Sequence, residues 1–125
     1  MPPSLAPPSS ERRQATVMFA DLSGFTAMSE AMEPEEVTAL MNECFEMMGS
    51  IIKFYGGMID KFIGDCVMAV FGAPLAIENA PIKAVNAAIE LRRGVERFSA
   101  QRRFVKPLEI HIGLNTGTVL AGEVG

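Results

Sequence analysis

Cysteine, histidine and tyrosine are scarce in this chain, with two, one and one copies, and no stretch is apolar enough to span a membrane. Two cysteines, Cys44 and Cys66, cannot build a disulfide framework. Both sit in apolar stretches without metal-ligand spacing, so buried free thiols in a reducing, cytoplasmic setting are expected. The longest apolar runs fall far short of the ~18 residues a membrane helix needs. The first ten residues lack the charged and apolar regions of a signal peptide. Excess positive charge is missing too: eleven Lys and Arg stand against fifteen Asp and Glu, a net charge of -4. A nucleic-acid partner is not expected, nor is membrane contact by this segment. What remains is 125 residues with 49% hydrophobic side chains and a mean hydropathy of +0.23, enough for one domain or part of one and too apolar for a disordered chain.

Four of the eight prolines fall in residues 1–10, MPPSLAPPSS, which carry no charge. A flexible Pro/Ser-rich linker or tail is expected over 1–11 and a domain over 12–125. Residues 15–20 form a short Val/Thr/Phe-containing run that reads as a buried strand ending near Asp21. From Pro34 the apolar period shifts: Val37, Leu40, Met41, Cys44, Phe45, Met48, Ile51, Ile52 and Tyr55 share one helical face. Pro34, Glu35 and Glu36 suit its first turn, and Gly56-Gly57 closes it. Residues 58–63 and 66–71 read as strands joined by a Gly64-Asp65 turn. Helical spacing returns from Asn79 to about Phe98 through Ile82, Val85, Ile89 and Val95, and Ile110, Ile112 and Leu114 mark a last, half-buried strand.

The order βαββαβ implies an α+β, ferredoxin-like (palm-type) fold: a four-stranded antiparallel sheet with both helices on one face. Right-handed crossovers put the first strand between the third and fourth. Asp21, ending the first strand, then lies beside Asp65, at the turn that starts the third. Two carboxylates this close repel unless a cation neutralises them, and hard divalent ions such as Mg²⁺ take carboxylate oxygen and are completed by water and phosphate. The segment Leu22-Ser23-Gly24-Phe25-Thr26 reads as a turn opening a short helix whose free N–H groups suit phosphate. A helix cap at Asp21 or Ser23 and an ordinary Gly-Asp turn are the structural alternatives.

Residues 17–26 (VMFADLSGFT) and 61–72 (KFIGDCVMAVFG) resemble the two metal-binding segments of the class III nucleotidyl cyclase catalytic domain, and 111–125 (HIGLNTGTVLAGEVG) is similar to its next segment. The resemblance implies an enzyme that converts ATP to 3′,5′-cyclic AMP and pyrophosphate with two ions, Mg²⁺ or Mn²⁺. Asp21 and Asp65 would hold them with the Leu22 carbonyl, and the backbone of Leu22, Ser23, Gly24, Phe25 and Thr26 would hold the phosphates. Lys61 stands where adenylyl cyclases resemble one another in carrying an adenine-recognising lysine and guanylyl cyclases a glutamate. In the family the active site forms between two such domains, so a homodimer is implied, with Lys61 serving the partner's site. The alternatives are a guanylyl cyclase, disfavoured by Lys61, and a non-catalytic regulatory or dimerisation module, disfavoured by the trio Asp21, Asp65 and Lys61. A cyclic-dinucleotide cyclase is disfavoured because no acidic pair follows Gly56-Gly57.

The resemblance breaks off at Gly125, before the segment bearing a second base-recognition residue and an Asn and Arg for the transition state. A partial domain with negligible turnover by itself is therefore expected, with an exposed sheet edge or apolar face and a tendency to self-associate. His111, between Ile110 and Ile112, points away from their face and is assigned a structural or surface role. The nine methionines are read as core packing, and Arg92, Arg93, Arg97, Arg102 and Arg103 as a solvated helix end.

Overall fold

The computed structural model describes residues 11–25, 27, 30–102, 104 and 106–121. Its elements are β1 (Glu11–Ser23), α1 (Pro34–Phe54), β2 (Gly57–Ile63), β3 (Cys66–Phe71), α2 (Ala80–Gln101) and β4 (Glu109–Ala121). The strands form one sheet in the order β2-β3-β1-β4, every neighbouring pair antiparallel. This is the expected α+β arrangement, with β1 central. Central β1 and edge strand β4 are both longer than their apolar runs. β1 and β4 pair over thirteen positions, from Glu11↔Ala121 to Ser23↔Glu109. Polar residues such as Gln14, Asn115 and Thr118 are carried into the ladder because each strand completes the other's backbone hydrogen bonds.

Helix α1 begins on Pro34, whose missing N–H costs nothing in a first turn, with Glu35 and Glu36 at the positive end of the dipole and Lys53 in the last turn. Gly56 ends it with φ 89°, a left-handed conformation that glycine adopts without strain. Val37, Cys44, Met48 and Ile52 are buried, as the spacing predicted. Each large apolar side chain taken from water there contributes roughly 1.5–3 kcal/mol.

Helix α2 departs from expectation. Val95 is buried as expected, but Ile82, Val85 and Ile89 are exposed, and the rest of the buried face is built from Ala80, Ala84, Ala87, Leu91, Gly94, Phe98 and Ser99. Small residues let α2 approach β1, β3 and α1 closely. A Cβ on Gly94 would come within 2.7 Å of the Met47 sulfur. Val85 and Ile89 are left on the flank facing β4, where they line a groove of about 690 Å³ with Leu114. The basic helix end is also more than a solvated face: Arg102 pairs with Glu43 at 2.5 Å and lies 3.8 Å over the Phe98 ring. Arg103 lies outside the described residues.

The core lies between the helices and one face of the sheet: Met18, Ala20 and Leu22 of β1 and Val67, Ala69 and Phe71 of β3 meet α1 and α2. Alternation sends Val17, Phe19, Asp21 and Ser23 to the opposite, open face. One end of that face is closed by Ala15, Val70, Ala73 and Val119, with Arg13 donating to the Pro74 carbonyl. The middle is uncovered and apolar. Among the described residues no helix is long and apolar enough to cross a membrane.

Candidate functional site

The uncovered end of the open face carries the acidic residues. Asp21 lies opposite Cys66 in the β1–β3 register, and Asp65 immediately precedes Cys66 in the turn. The Leu22 N–H donates to the Asp65 carbonyl at 3.1 Å, stitching the turn to β1. Gly64 takes φ 59° at the first central position of the two-residue turn, where a hairpin favours glycine. Topology thus makes neighbours of two aspartates forty-four positions apart in the chain, as the strand order required.

Both side chains are exposed, and none of the ion pairs among the described residues involves either. Their negative field is felt by Cys66. Burial pushes the Cys66 thiol up, the Asp21 carboxylate pushes it further, and Asp65 adds in the same direction. Cys66 is only half-buried, unlike Cys44, which is fully enclosed on the inner face of α1 and raised to about 11 by that burial. Adjacent carboxylates without a cationic partner form an oxygen donor pair suited to a hard divalent ion. Among the described residues no group of three or more His, Cys, Asp and Glu could hold a metal ion.

The segment after Asp21 leaves the sheet. Leu22 is buried in the core and Ser23 is exposed. Gly24 has φ 112°, and a Cβ there would sit 3.1 Å from the Leu108 side chain. Its glycine is therefore required by the backbone and by the approach to the connection before β4. Phe25 is helical and buried, while Thr26 lies outside the described residues.

Lys61 reaches the same open face by a route the alternation of β2 does not supply. The β2–β3 register runs Ile59↔Ala69 and then Lys61↔Met68, so Asp60 is an extra residue, a bulge. Without it Lys61 would point toward the helices. With it Lys61 shares the face of Met68 and Phe19, and Phe62 turns inward to meet Phe45 at 5.2 Å between ring centroids. Lys61 is exposed, 4.0 Å from the Asp60 carboxylate. Strand spacing puts it roughly 12 Å from Asp21 across the sheet.

The adenylate and guanylate cyclase catalytic domain model matches residues 8–125. The chain belongs to this family. The cyclase domain is 36% identical over 119 residues to an adenylate cyclase of Anabaena cylindrica, covering 90% of this chain and 23% of that protein. Its fold is similar to the solved adenylyl cyclase CyaB of P. aeruginosa, with 42% identity and a TM-score of 0.79 over 86% of this chain and 58% of the other. It is equally similar to the guanylyl cyclase Cya2, with 37% identity and a TM-score of 0.80 over 94% of this chain and 60% of the other. The domain thus spans about three fifths of the solved cyclases it matches and under a quarter of the Anabaena protein.

One neighbour of the acidic pair is invisible to motif reading. In the β1–β4 register His111 stands directly opposite Asp21, and Glu109 opposite Ser23, so a histidine set aside as a surface residue borders the site. The signal was available in the antiparallel pairing, which fixes what faces Asp21 once the register is known.

Proposed function

We propose that the whole protein is an adenylyl cyclase, forming 3′,5′-cyclic AMP and pyrophosphate from ATP at a site held between two copies of this domain. The observation that carries the reading is the pair Asp21 and Asp65, neighbours in the fold, both exposed, and in none of the ion pairs among the described residues. Both carboxylates, with the Leu22 carbonyl, would hold two ions, Mg²⁺ or Mn²⁺. Divalent ions bound there would supply positive charge for the triphosphate and lower the pKa of the ribose 3′-hydroxyl. The backbone from Leu22 to Thr26 would bind the β- and γ-phosphates, and the Asp21 and Asp65 side chains fix the acidic end of the site against a rigid sheet. Positioning and charge, with no covalent protein intermediate, are what phosphoryl transfer needs.

ATP is preferred over GTP because Lys61 offers an ammonium donor to a ring acceptor of adenine, where a carboxylate would accept from guanine N–H groups. Relatives of both specificities have comparable identity, so the preference rests on Lys61 alone. The homodimer reading is supported by the apolar middle of the open face, where Phe19, Met58 and Ile63 are 43%, 49% and 54% exposed beside Lys61 and the acidic pair. A second copy laid across that face would bury them and bring its own Lys61 to this site. With about three fifths of a solved cyclase's length, the 125-residue chain is proposed to turn over little by itself.

The test uses the whole protein with Mn²⁺. Asp21→Ala and Asp65→Ala should each abolish cyclic AMP formation, and Lys61→Glu should lower the ATP to GTP ratio. Mixing inactive Asp21→Ala with Lys61→Glu should restore ATP turnover, because one of the two shared sites then carries neither change. Unchanged activity in either aspartate variant refutes the two-ion reading; no restoration on mixing refutes the shared site.

A further inference from the structure

Among the described residues the buried polar side chains are Thr16 of β1 and Ser99, in the last turn of α2. Thr16 meets the Thr116 hydroxyl at 2.8 Å, inside the β1–β4 ladder. Ser99 turns its hydroxyl to a different part of the fold. Its Oγ accepts from the Leu108 N–H at 3.0 Å in a buried hydrogen bond, and its carbonyl accepts from the Phe104 N–H at 3.2 Å. One residue thus holds the connection between α2 and β4 at two points. Leu108 is itself buried and lies directly beneath Gly24. A Cβ on Gly24 would meet Leu108 Cδ2 at 3.1 Å, Leu108 Cα at 3.5 Å and the Pro107 carbonyl oxygen at 3.8 Å. The β1–β4 ladder stops at Ser23↔Glu109, one position short of both Gly24 and Leu108. Past that last pair, the wall against which Gly24 rests is Leu108.

We infer that Ser99 is a positioning residue for the phosphate-binding segment 22–26, acting through Leu108. The inference rests on the reading of that segment as the seat of the β- and γ-phosphates. Backbone N–H groups hold a phosphate only where they converge on it, and a misplacement of about 1 Å costs up to about 100-fold. Gly24, at φ 112°, is the most freely rotating residue of the segment, so its direction is set by what it leans on. Helix α2 supplies a firm support, anchored in the core by Leu91, Val95 and Phe98. Without the Ser99 hydroxyl the Leu108 N–H would be buried and unpaired, and the connection would move toward water to satisfy it. Leu108 would then withdraw from Gly24. Serine is a poorer helix former than alanine, and Ala80, Ala84 and Ala87 fill the same buried face. Packing therefore has no need of a hydroxyl at this position, whereas the connection does.

The probes are pyrophosphate, which reports on the β- and γ-phosphate seat, and cyclic AMP, which carries neither phosphate. Each is titrated with Mn²⁺ into the whole protein and followed by calorimetry. Ser99→Ala should weaken pyrophosphate binding about tenfold and leave cyclic AMP binding within about twofold of the parent. Ser99→Thr, which keeps the hydroxyl, should recover most of the loss. Leu108→Val removes Cδ2 but keeps the N–H, so it should weaken pyrophosphate several-fold, and it carries the test if Ser99→Ala does not fold. Gly57→Ala, which crowds Phe71 and Ile52 at the opposite end of the sheet, controls for lost stability and should bind pyrophosphate as the parent does. Parent-like pyrophosphate affinity in Ser99→Ala or in Leu108→Val overturns the inference and leaves the phosphate site standing. Equal weakening in Gly57→Ala, or equal losses for the two probes, overturns it as well, because the effect is then one of general stability. A parent protein that does not bind pyrophosphate with Mn²⁺ overturns the phosphate reading and the inference together.

Discussion

Gly57 opens β2 and is buried where β2, β3 and α1 meet. Its backbone is not in the left-handed region, so alanine fits the dihedral angles and only space is at issue. A Cβ would lie 2.7 Å from Cε2 and Cζ of Phe71 and 2.8 Å from Cγ2 of Ile52, both side chains fully buried. Such contacts lie about 1 Å inside normal carbon separation, and neither wall is a flexible chain end. Overpacking of this kind costs roughly 1–3 kcal/mol, and two rigid walls argue for the upper half. Against this, replacing glycine by alanine stiffens the unfolded chain and returns about 0.4–1 kcal/mol. The net expectation for Gly57→Ala is a loss of about 2 kcal/mol, or about 8 °C in thermal midpoint for a domain this size. Urea unfolding followed by circular dichroism measures it. The packing origin is checked by adding Phe71→Leu, which opens the space beside the new methyl. The double variant should then be more stable than the sum of the single losses by about 1 kcal/mol. A Gly57→Ala protein as stable as the parent, or strict additivity with Phe71→Leu, would refute the steric argument.

Two further predictions concern the helices. Because the Cys44 thiol is raised from 9.0 to about 11, the folded state keeps a proton that the unfolded chain releases from about pH 9 upward. Stability is therefore fully present below pH 9 and falls as pH rises toward 11, by roughly 2–3 kcal/mol; pH-dependent urea unfolding should show a shallower fall in Cys44→Ala, and parallel curves would refute the assignment. On α2, Ile89→Lys should change unfolding free energy by less than about 0.5 kcal/mol, whereas Ala87→Leu should cost about 1–3 kcal/mol. The reverse ranking would show that the large side chains, not the alanines, face the core.

The contrast between the two helices marks what periodicity reveals. On α1 the apolar stripe is unambiguous because large side chains occupy one face and charges the other, and the burial of Val37, Cys44, Met48 and Ile52 follows it. On α2 two faces are apolar, one carrying Ile82, Val85 and Ile89 and one carrying Ala80, Ala84, Ala87 and Gly94 with Leu91, Val95 and Phe98. Hydrophobicity alone favours the first set, whereas the close approach at positions such as Gly94 buries the second. Strand ends were likewise legible only where apolar alternation continued. The outer halves of β1 and β4 extend through polar residues because each finds a partner backbone, a fact that belongs to the pairing rather than to either segment.

For the site, the sequence alone determined a great deal: the order of elements, the Gly64-Asp65 turn, the strand order and hence the meeting of Asp21 with Asp65. These depend on local chemistry and on the handedness of crossovers, both written in single segments. Only the tertiary structure decided which face Lys61 occupies and which residue borders Asp21. An extra residue at Asp60 reverses the alternation of β2, and the register of β4 against β1 sets His111 opposite the carboxylate. A shift of one position in either ladder would turn those side chains to the other side of the sheet. Such a shift leaves hydropathy unchanged and is fixed by the summed packing of four strands and two helices.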